Sequence, residues 1–132
     1  DACRGTPEGV RVNRRGRAAN CGEQELQDQV GQDLFLLKLT PGLREELFDA
    51  LGDMGYRGIV IAAFGLGGVN VLNRGLSGIR RAVKRGISVV VTTQCLYDSS
   101  DLRVYQVGNR LLELGVIQGR DMTSEAAMTK LM

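Results

Sequence analysis

Gly58-Ile59-Val60-Ile61-Ala62-Ala63-Phe64, running into Gly65-Leu66-Gly67-Gly68, is the stretch that decides the fold. It has no polar side chain to turn toward water, so the strand it forms is covered on both faces. The glycines that follow end it in a tight turn. Upstream, Leu34-Phe35-Leu36-Leu37 is a second short apolar run, closed by Thr40-Pro41-Gly42. Between the two runs, Leu43, Leu47, Ala50, Leu51 and Met54 recur at helical spacing and Gly55 stops the helix. Downstream the alternation continues. Leu76, Ile79, Ala82 and Val83 mark a helix with Arg80, Arg81, Lys84 and Arg85 largely on its wet side and Gly86 as its stop. Ile87 to Thr93 is a β-branched strand. Val104, Val107, Leu111 and Leu112 give another helix stopped by Gly115, Val116-Ile117 a fourth strand, and Thr123 the N-cap of a last helix with Glu125 in its first turn.

Strand-then-helix units with buried strands predict an α/β domain around a four-stranded parallel sheet, joined by right-handed crossovers. Ligands of such sheets collect outside the carboxyl ends of the strands. Here those ends are Thr40-Pro41-Gly42, Gly65 to Asn70, Thr93 to Asp101 and Gly119 to Thr123.

Composition narrows the chemistry available there. The 132 residues are 43% hydrophobic and 24% charged, enough to bury a core and too apolar for disorder throughout. Seventeen basic against fifteen acidic side chains leave a net charge of +2, which gives no strong pull toward nucleic acid or an anionic membrane. There is no histidine, so a Ser-His or Cys-His nucleophile pair is excluded and the commonest metal ligand is missing. Cys3, Cys21 and Cys95 are odd in number and lack the C-x-x-C spacing of a zinc site, which fits free thiols in a reducing compartment. The longest uncharged stretch, Gly58 to Asn73, falls short of the ~20 residues of a membrane-spanning helix, and no positive-then-apolar leader is visible.

Residues 1–32 differ from the rest. They carry five glycines, the basic run Arg14-Arg15-Gly16-Arg17 and few large apolar residues; only Val10 and Val12 alternate as a strand would. This segment is expected to be an extended arm or inter-domain linker, with the domain proper at 33–132.

Three constellations lie at the strand ends. Gly65-x-Gly67-Gly68 resembles a dinucleotide fingerprint, but Asn70 stands where the third glycine belongs, and a tight turn accounts for it. Thr92-Thr93-Gln94-Cys95 offers hydroxyls, an amide and a thiol, suited either to a small polar ligand or to the buried end of a strand. Asp98, Asp101 and Asp121 could hold a cation, although carboxylates on separate loops usually cap turns.

Five ordered motifs then carry a resemblance. They are Leu37-Lys38-Leu39-Thr40-Pro41-Gly42, Gly55-Tyr56-Arg57-Gly58-Ile59-Val60, Ala63-Phe64-Gly65-Leu66-Gly67-Gly68, Val91-Thr92-Thr93-Gln94-Cys95-Leu96-Tyr97, and Asp121-Met122-Thr123 through to Met132. From about Leu34 onward the chain resembles the carboxyl-terminal domain of bacterial L-asparaginase, most closely the cytoplasmic type I branch. The resemblance implies a Rossmann-like three-layer α/β domain of a cytoplasmic homo-oligomeric amidohydrolase, dimeric or tetrameric, that converts asparagine to aspartate and ammonia without a cofactor or metal. Its partners would be asparagine, further copies and an amino-terminal catalytic domain, with neither nucleic acid nor membrane. Alternatives are the asparaginase-like subunit of a transfer-RNA amidotransferase and a non-enzymatic small-molecule-binding α/β module.

The family's attacking threonine lies in the amino-terminal motifs T-G-G-T-I and H-G-T-D-T, and neither string occurs here. No catalytic residue is therefore expected on this chain, which should be inert alone. The resemblance assigns a substrate contact in the neighbouring subunit to a G-x-G-N-x-N motif. Gly65, Gly67 and Asn70 match it, and Gly68 replaces the first asparagine. It also assigns a second, activating asparagine site to the T-Q-C motif, matched by Thr93, Gln94 and Cys95. The arginine expected at the end of the second strand is Ala62, which removes the effector carboxylate's partner.

Overall fold

The computed structural model describes residues 3–6, 9–12, 30–65, 74–104 and 106–132, which fall into two compact units, Asp1–Val30 and Gly31–Met132. In the first unit, β1 (Cys3–Thr6) pairs antiparallel with β2 (Gly9–Val12), Cys3 opposite Val12. These paired strands lie within the segment that the sequence suggests is an extended arm or inter-domain linker. Gly5 and Gly9 dilute the β signal there, leaving Val10 and Val12 to carry it.

The second unit follows from its central strand. All six residues of β4 (Gly58–Ala63) are buried, flanked by β3 (Leu34–Lys38) and β5 (Ser88–Thr93), with β6 (Ile117–Gln118) beyond. The strands are parallel and ordered β3-β4-β5-β6, as they occur in the chain. A sequential order with right-handed crossovers puts every connecting helix on one face. Accordingly Leu37, Ile59, Ile61, Val89 and Val91 point into one core with Phe48 and Leu51 of α1 (Glu46–Asp53), Ile79 and Ala82 of α2 (Arg74–Lys84), and Leu111 of α3 (Gln106–Glu113). The alternate residues, Val60 and Val90, pack against Ala127 of α4 (Ser124–Leu131) on the opposite face. That face is covered only along its middle: in the row Leu36–Val60–Val90–Ile117 the outer residues are 41% and 50% exposed.

The helix stops behave as expected. Gly55, Gly86 and Gly115 all have φ between +83° and +89°, conformations that a Cβ resists. The Thr123 hydroxyl accepts from the Ala126 N–H at 3.1 Å and caps α4. Two apolar faces differ from expectation. In α1 the buried residues are Phe48 and Leu51, while Met54, the C-cap residue just past the last turn, is 65% exposed. Val104 belongs to a single 3-10 turn (Leu102–Val104) and is exposed, whereas its neighbour Leu102 is buried.

Between α1 and α2 runs a polar ladder. Ser77 donates to Glu45, Arg81 grips Asp49 through three hydrogen bonds of 2.8–3.1 Å, and Arg85 reaches Asp53 and the Asp49 carbonyl. Each side-chain pair is 32 residues apart, so two parallel helices meet rung by rung every four residues. Hydrogen bonding from Arg81 holds the Asp49 carboxyl below its ordinary value of 3.8. A carboxyl depressed in the folded state contributes its full stabilisation above the unfolded value and loses it as pH falls through the depressed one. The stability difference between wild type and Asp49→Asn should therefore stay level at neutral pH and close only below pH 3.8. Urea midpoints across pH check this, and because the Arg81–Asp49 rung is only partly buried, added salt should shrink the difference.

Candidate functional site

At the carboxyl end of the sheet, each strand's last carbonyls need partners once the ladder stops. β5 supplies most of them. The last backbone bond between β4 and β5 runs from Gln94 N–H to Ala63 O at 2.8 Å. Beyond it the side-chain amide of Gln94 donates to Leu39 O and to Ala62 O, both at 2.8 Å, so one residue straps the ends of three strands. Thr93 donates its hydroxyl proton to Gly65 O and accepts from Cys95 N–H at 3.1 Å. Thr92 donates to Ile61 O at 3.3 Å and lies 2.9 Å from the Ser124 hydroxyl, fastening the start of α4 to the sheet.

The other side of the rim is held by two residues that sequence reasoning missed. Ser100 is buried, its hydroxyl within reach of Val91 O (3.3 Å) and Arg120 O (3.2 Å), and the Gln118 amide donates to Ser100 O at 2.6 Å. Arg120 adopts φ 55°, a left-handed conformation rare outside glycine. Neither Ser100 nor Gln118 had a signal in the sequence, since a serine in a polar loop and a glutamine ending a two-residue strand both read as surface. Gly119 sits here because a Cβ would come within 2.7 Å of Thr92 Cγ2 and 2.9 Å of Val91 O.

Of the residues expected to contact ligand, Gly68 and Asn70 lie outside the described residues. Thr93 is buried, Gln94 half-buried and Cys95 exposed, the last as a free thiol. The donor groups of Thr93 and Gln94 are spent on backbone carbonyls. Ala62, paired with Thr92 across the sheet, is buried. Among the three aspartates, Asp101 is bound to Arg103 at 3.1 Å, and hydrogen bonds from Arg103 hold its carboxyl low. Among the described residues no three acidic or cysteine side chains converge as a cation would require. On the same rim, Thr40, Pro41, Gly42, Leu43 and Leu47 line an open hollow of about 570 Å³. No helix of the described residues is long and apolar enough to cross a membrane.

The fold defines the class: an α/β domain whose parallel strands end in this strapped rim. Residues 33–132 match the family model of the Glutaminase/Asparaginase C-terminal domain, and the chain belongs to that family. It is 44% identical over 110 residues to a glutamyl-tRNA(Gln) amidotransferase subunit of Thermococcus kodakarensis, covering 83% of this chain and 24% of that protein. The L-asparaginase of the same organism is 40% identical over 123 residues, covering 93% of this chain and 37% of that one. A solved structure of the thermostable L-asparaginase from Thermococcus kodakarensis superimposes with a TM-score of 0.78 at 37% identity, over 98% of this chain and 39% of that one. The chain thus spans well under half the length of these relatives. They support the family without singling out a bacterial branch.

Proposed function

We propose that this chain is the smaller domain of an enzyme that hydrolyses a side-chain carboxamide, asparagine to aspartate and ammonia, in the cytoplasm. The observation that carries the reading is the family match over 33–132, joined to a sheet that a solved L-asparaginase reproduces over 98% of the chain. The attacking threonine and its partners would belong to an amino-terminal domain, and this domain would assemble with further copies as a homodimer or homotetramer. Gly68 and Asn70, on the segment after β4, would reach the neighbouring subunit's substrate. Thr93, Gln94 and Cys95 would be what remains of an effector site, since a buried carboxylate needs a charged partner and Ala62 supplies none.

The second reading, the asparaginase-like subunit of a transfer-RNA amidotransferase, is favoured by the higher identity to the amidotransferase relative, 44% over 110 residues. The two share amide hydrolysis and differ in where the ammonia goes. Ammonia release settles both points. The full-length protein should release ammonia from asparagine without transfer RNA, whereas residues 1–132 alone should release none. Turnover by the 132-residue chain would overturn the placement of the nucleophile elsewhere. Release that appears only with glutamyl-transfer RNA and a second subunit would establish the amidotransferase reading instead.

A further inference from the structure

We propose that the second face of the sheet is a peroxide-sensitive clasp: oxidation of Met122 and Met128 to sulfoxides releases α4 from Val60 and Val90, while the core on the first face stays closed. The clasp lies in the fold itself and rests on neither reading above.

The two faces are closed by different chemistry. Among the described residues, neither the buried residues of the first core nor those packed on them include methionine or cysteine. The second core is smaller. Val60, Val90 and Ala127 are its buried residues, and Met122, Met128 and Leu131 pack against them. Two of the three side chains that close it are therefore thioethers.

α4 relies on that closure. Its inward positions are Ser124, Ala127, Met128 and Leu131, the spacing of one helical face. The Ser124 hydroxyl is tied to Thr92 at 2.9 Å, and Ala127 offers a single methyl. Leu131 lies at the far end of the helix, where a Cβ on Gly58 would come within 2.9 Å of its Cδ2. Met128 thus fills the middle of the seam, and Met122, in the turn before the helix, joins the same cluster. Both methionines are half-buried, so they pack on the core and are still open to a small solute.

A peroxide supplies the oxidant. The thioether sulfur attacks one peroxide oxygen, and an S–O bond forms as the O–O bond breaks. Sulfur gives up two electrons; the hydroxide released takes the proton of the new S–OH group and leaves as water. The sulfoxide is polar where the thioether was apolar. If its oxygen stays in the seam it is buried without a donor, and if it turns to water the side chain leaves the seam. Either way α4 loses its middle contact. A polar group buried without a partner shifts an equilibrium about ten- to a hundredfold.

The test treats the full-length protein with hydrogen peroxide, its thiols first blocked with N-ethylmaleimide, and follows amide exchange by peptide. The peptide 121–132 should exchange about ten- to a hundredfold faster, with β4, α1 and α2 unchanged, and methionine sulfoxide reductases should restore it. Met122→Leu/Met128→Leu, a nearly volume-conserving change, should stay slow under the same treatment. Met54 and Met132, the other methionines of these 132 residues, are exposed and outside the second core, so Met54→Leu/Met132→Leu should respond as wild type does. Sulfoxide at 122 and 128 with unchanged exchange overturns the proposal, and so does failure of these two to oxidise while Met54 and Met132 convert. Quickening spread through the whole sheet overturns it as well, as does equal quickening in Met122→Leu/Met128→Leu. If that variant leaves α4 unprotected before treatment, Met54→Leu/Met132→Leu decides: quickening supports the clasp and its absence overturns it.

Discussion

Gly108→Ala is expected to cost the domain about 2 kcal/mol or more, although alanine is the better helix former. Gly108 lies in α3, where replacing glycine by alanine ordinarily gains about 1 kcal/mol. Here a Cβ would point into the backbone of the preceding 3-10 turn, meeting the Leu102 carbonyl oxygen at clashing range, its carbon at 2.6 Å and its Cα at 2.8 Å. Backbone cannot rotate aside as a side-chain end can, and Leu102 is itself anchored in the core. Relief requires α3 and the turn to part, and overpacking of this kind costs about 1–3 kcal/mol, sometimes more. The strain outweighs the propensity. Equilibrium urea unfolding of residues 31–132, a compact unit of its own, should show a lower midpoint with an unchanged slope. A midpoint above wild type would mean that α3 does not lie this close to the turn.

Gln94→Glu should be at least as damaging. The amide nitrogen of Gln94 faces two carbonyl oxygens, each at 2.8 Å. A carboxylate of the same shape would set a negative charge where two donated bonds stood. Ala62 O keeps the Leu39 N–H at 3.0 Å, so Leu39 O is the oxygen left without its donor. An unsatisfied acceptor costs about 1–3 kcal/mol and the repulsion adds to it, so about 2–4 kcal/mol is expected. The pH dependence has a definite sign. Carbonyl dipoles favour the protonated acid, which raises the folded-state pKa of the new carboxyl above its unfolded value. A raised carboxyl destabilises most above that pKa, so the deficit should narrow as pH falls from 7 toward about 4. Gln94→Met, equally long and uncharged, should lose less and show no such narrowing. Thermal unfolding at several pH values separates these outcomes.

The sheet and its four helices were legible in the sequence because each used a strong, local signal. The unbroken apolar run at Gly58–Phe64 specified a strand buried on both faces, and β4 is buried throughout. Thr123 and the glycines at 55, 86 and 115 marked helix ends through capping and left-handed φ, which depend on neighbours in the chain. The straps were not legible. Whether Gln94 binds ligand or the carbonyl of Leu39, 55 residues away, depends on which strands end side by side. The same holds for Ser100 and Gln118, whose hydrogen bonds join loops that periodicity treats separately. Phe48 was missed as a core residue because the apolar pattern runs along Leu47 and Leu51, and Phe48, beside Leu47 in the chain, widens that stripe. Gly68 and Asn70 lie outside the described residues and remain expectations.

The order β3-β4-β5-β6 also bears on how the domain assembles during synthesis. Paired residues lie 24 apart between β3 and β4 (Leu34 to Gly58), 30 between β4 and β5 (Gly58 to Ser88) and 27 between β5 and β6 (Val90 to Ile117). Every strand thus finds its neighbour already made, and no pairing must wait for a distant segment. The sheet can grow from the ribosome in one direction, each crossover helix sealing the first face as it emerges. The second face follows a different clock. Val60 and Val90 remain bare until α4, the last eight-residue helix, arrives to cover them. A nascent chain paused before Ser124 would carry a finished sheet with one open apolar side, which makes the interval before the final helix the stage at which a chaperone or a neighbouring chain would capture it.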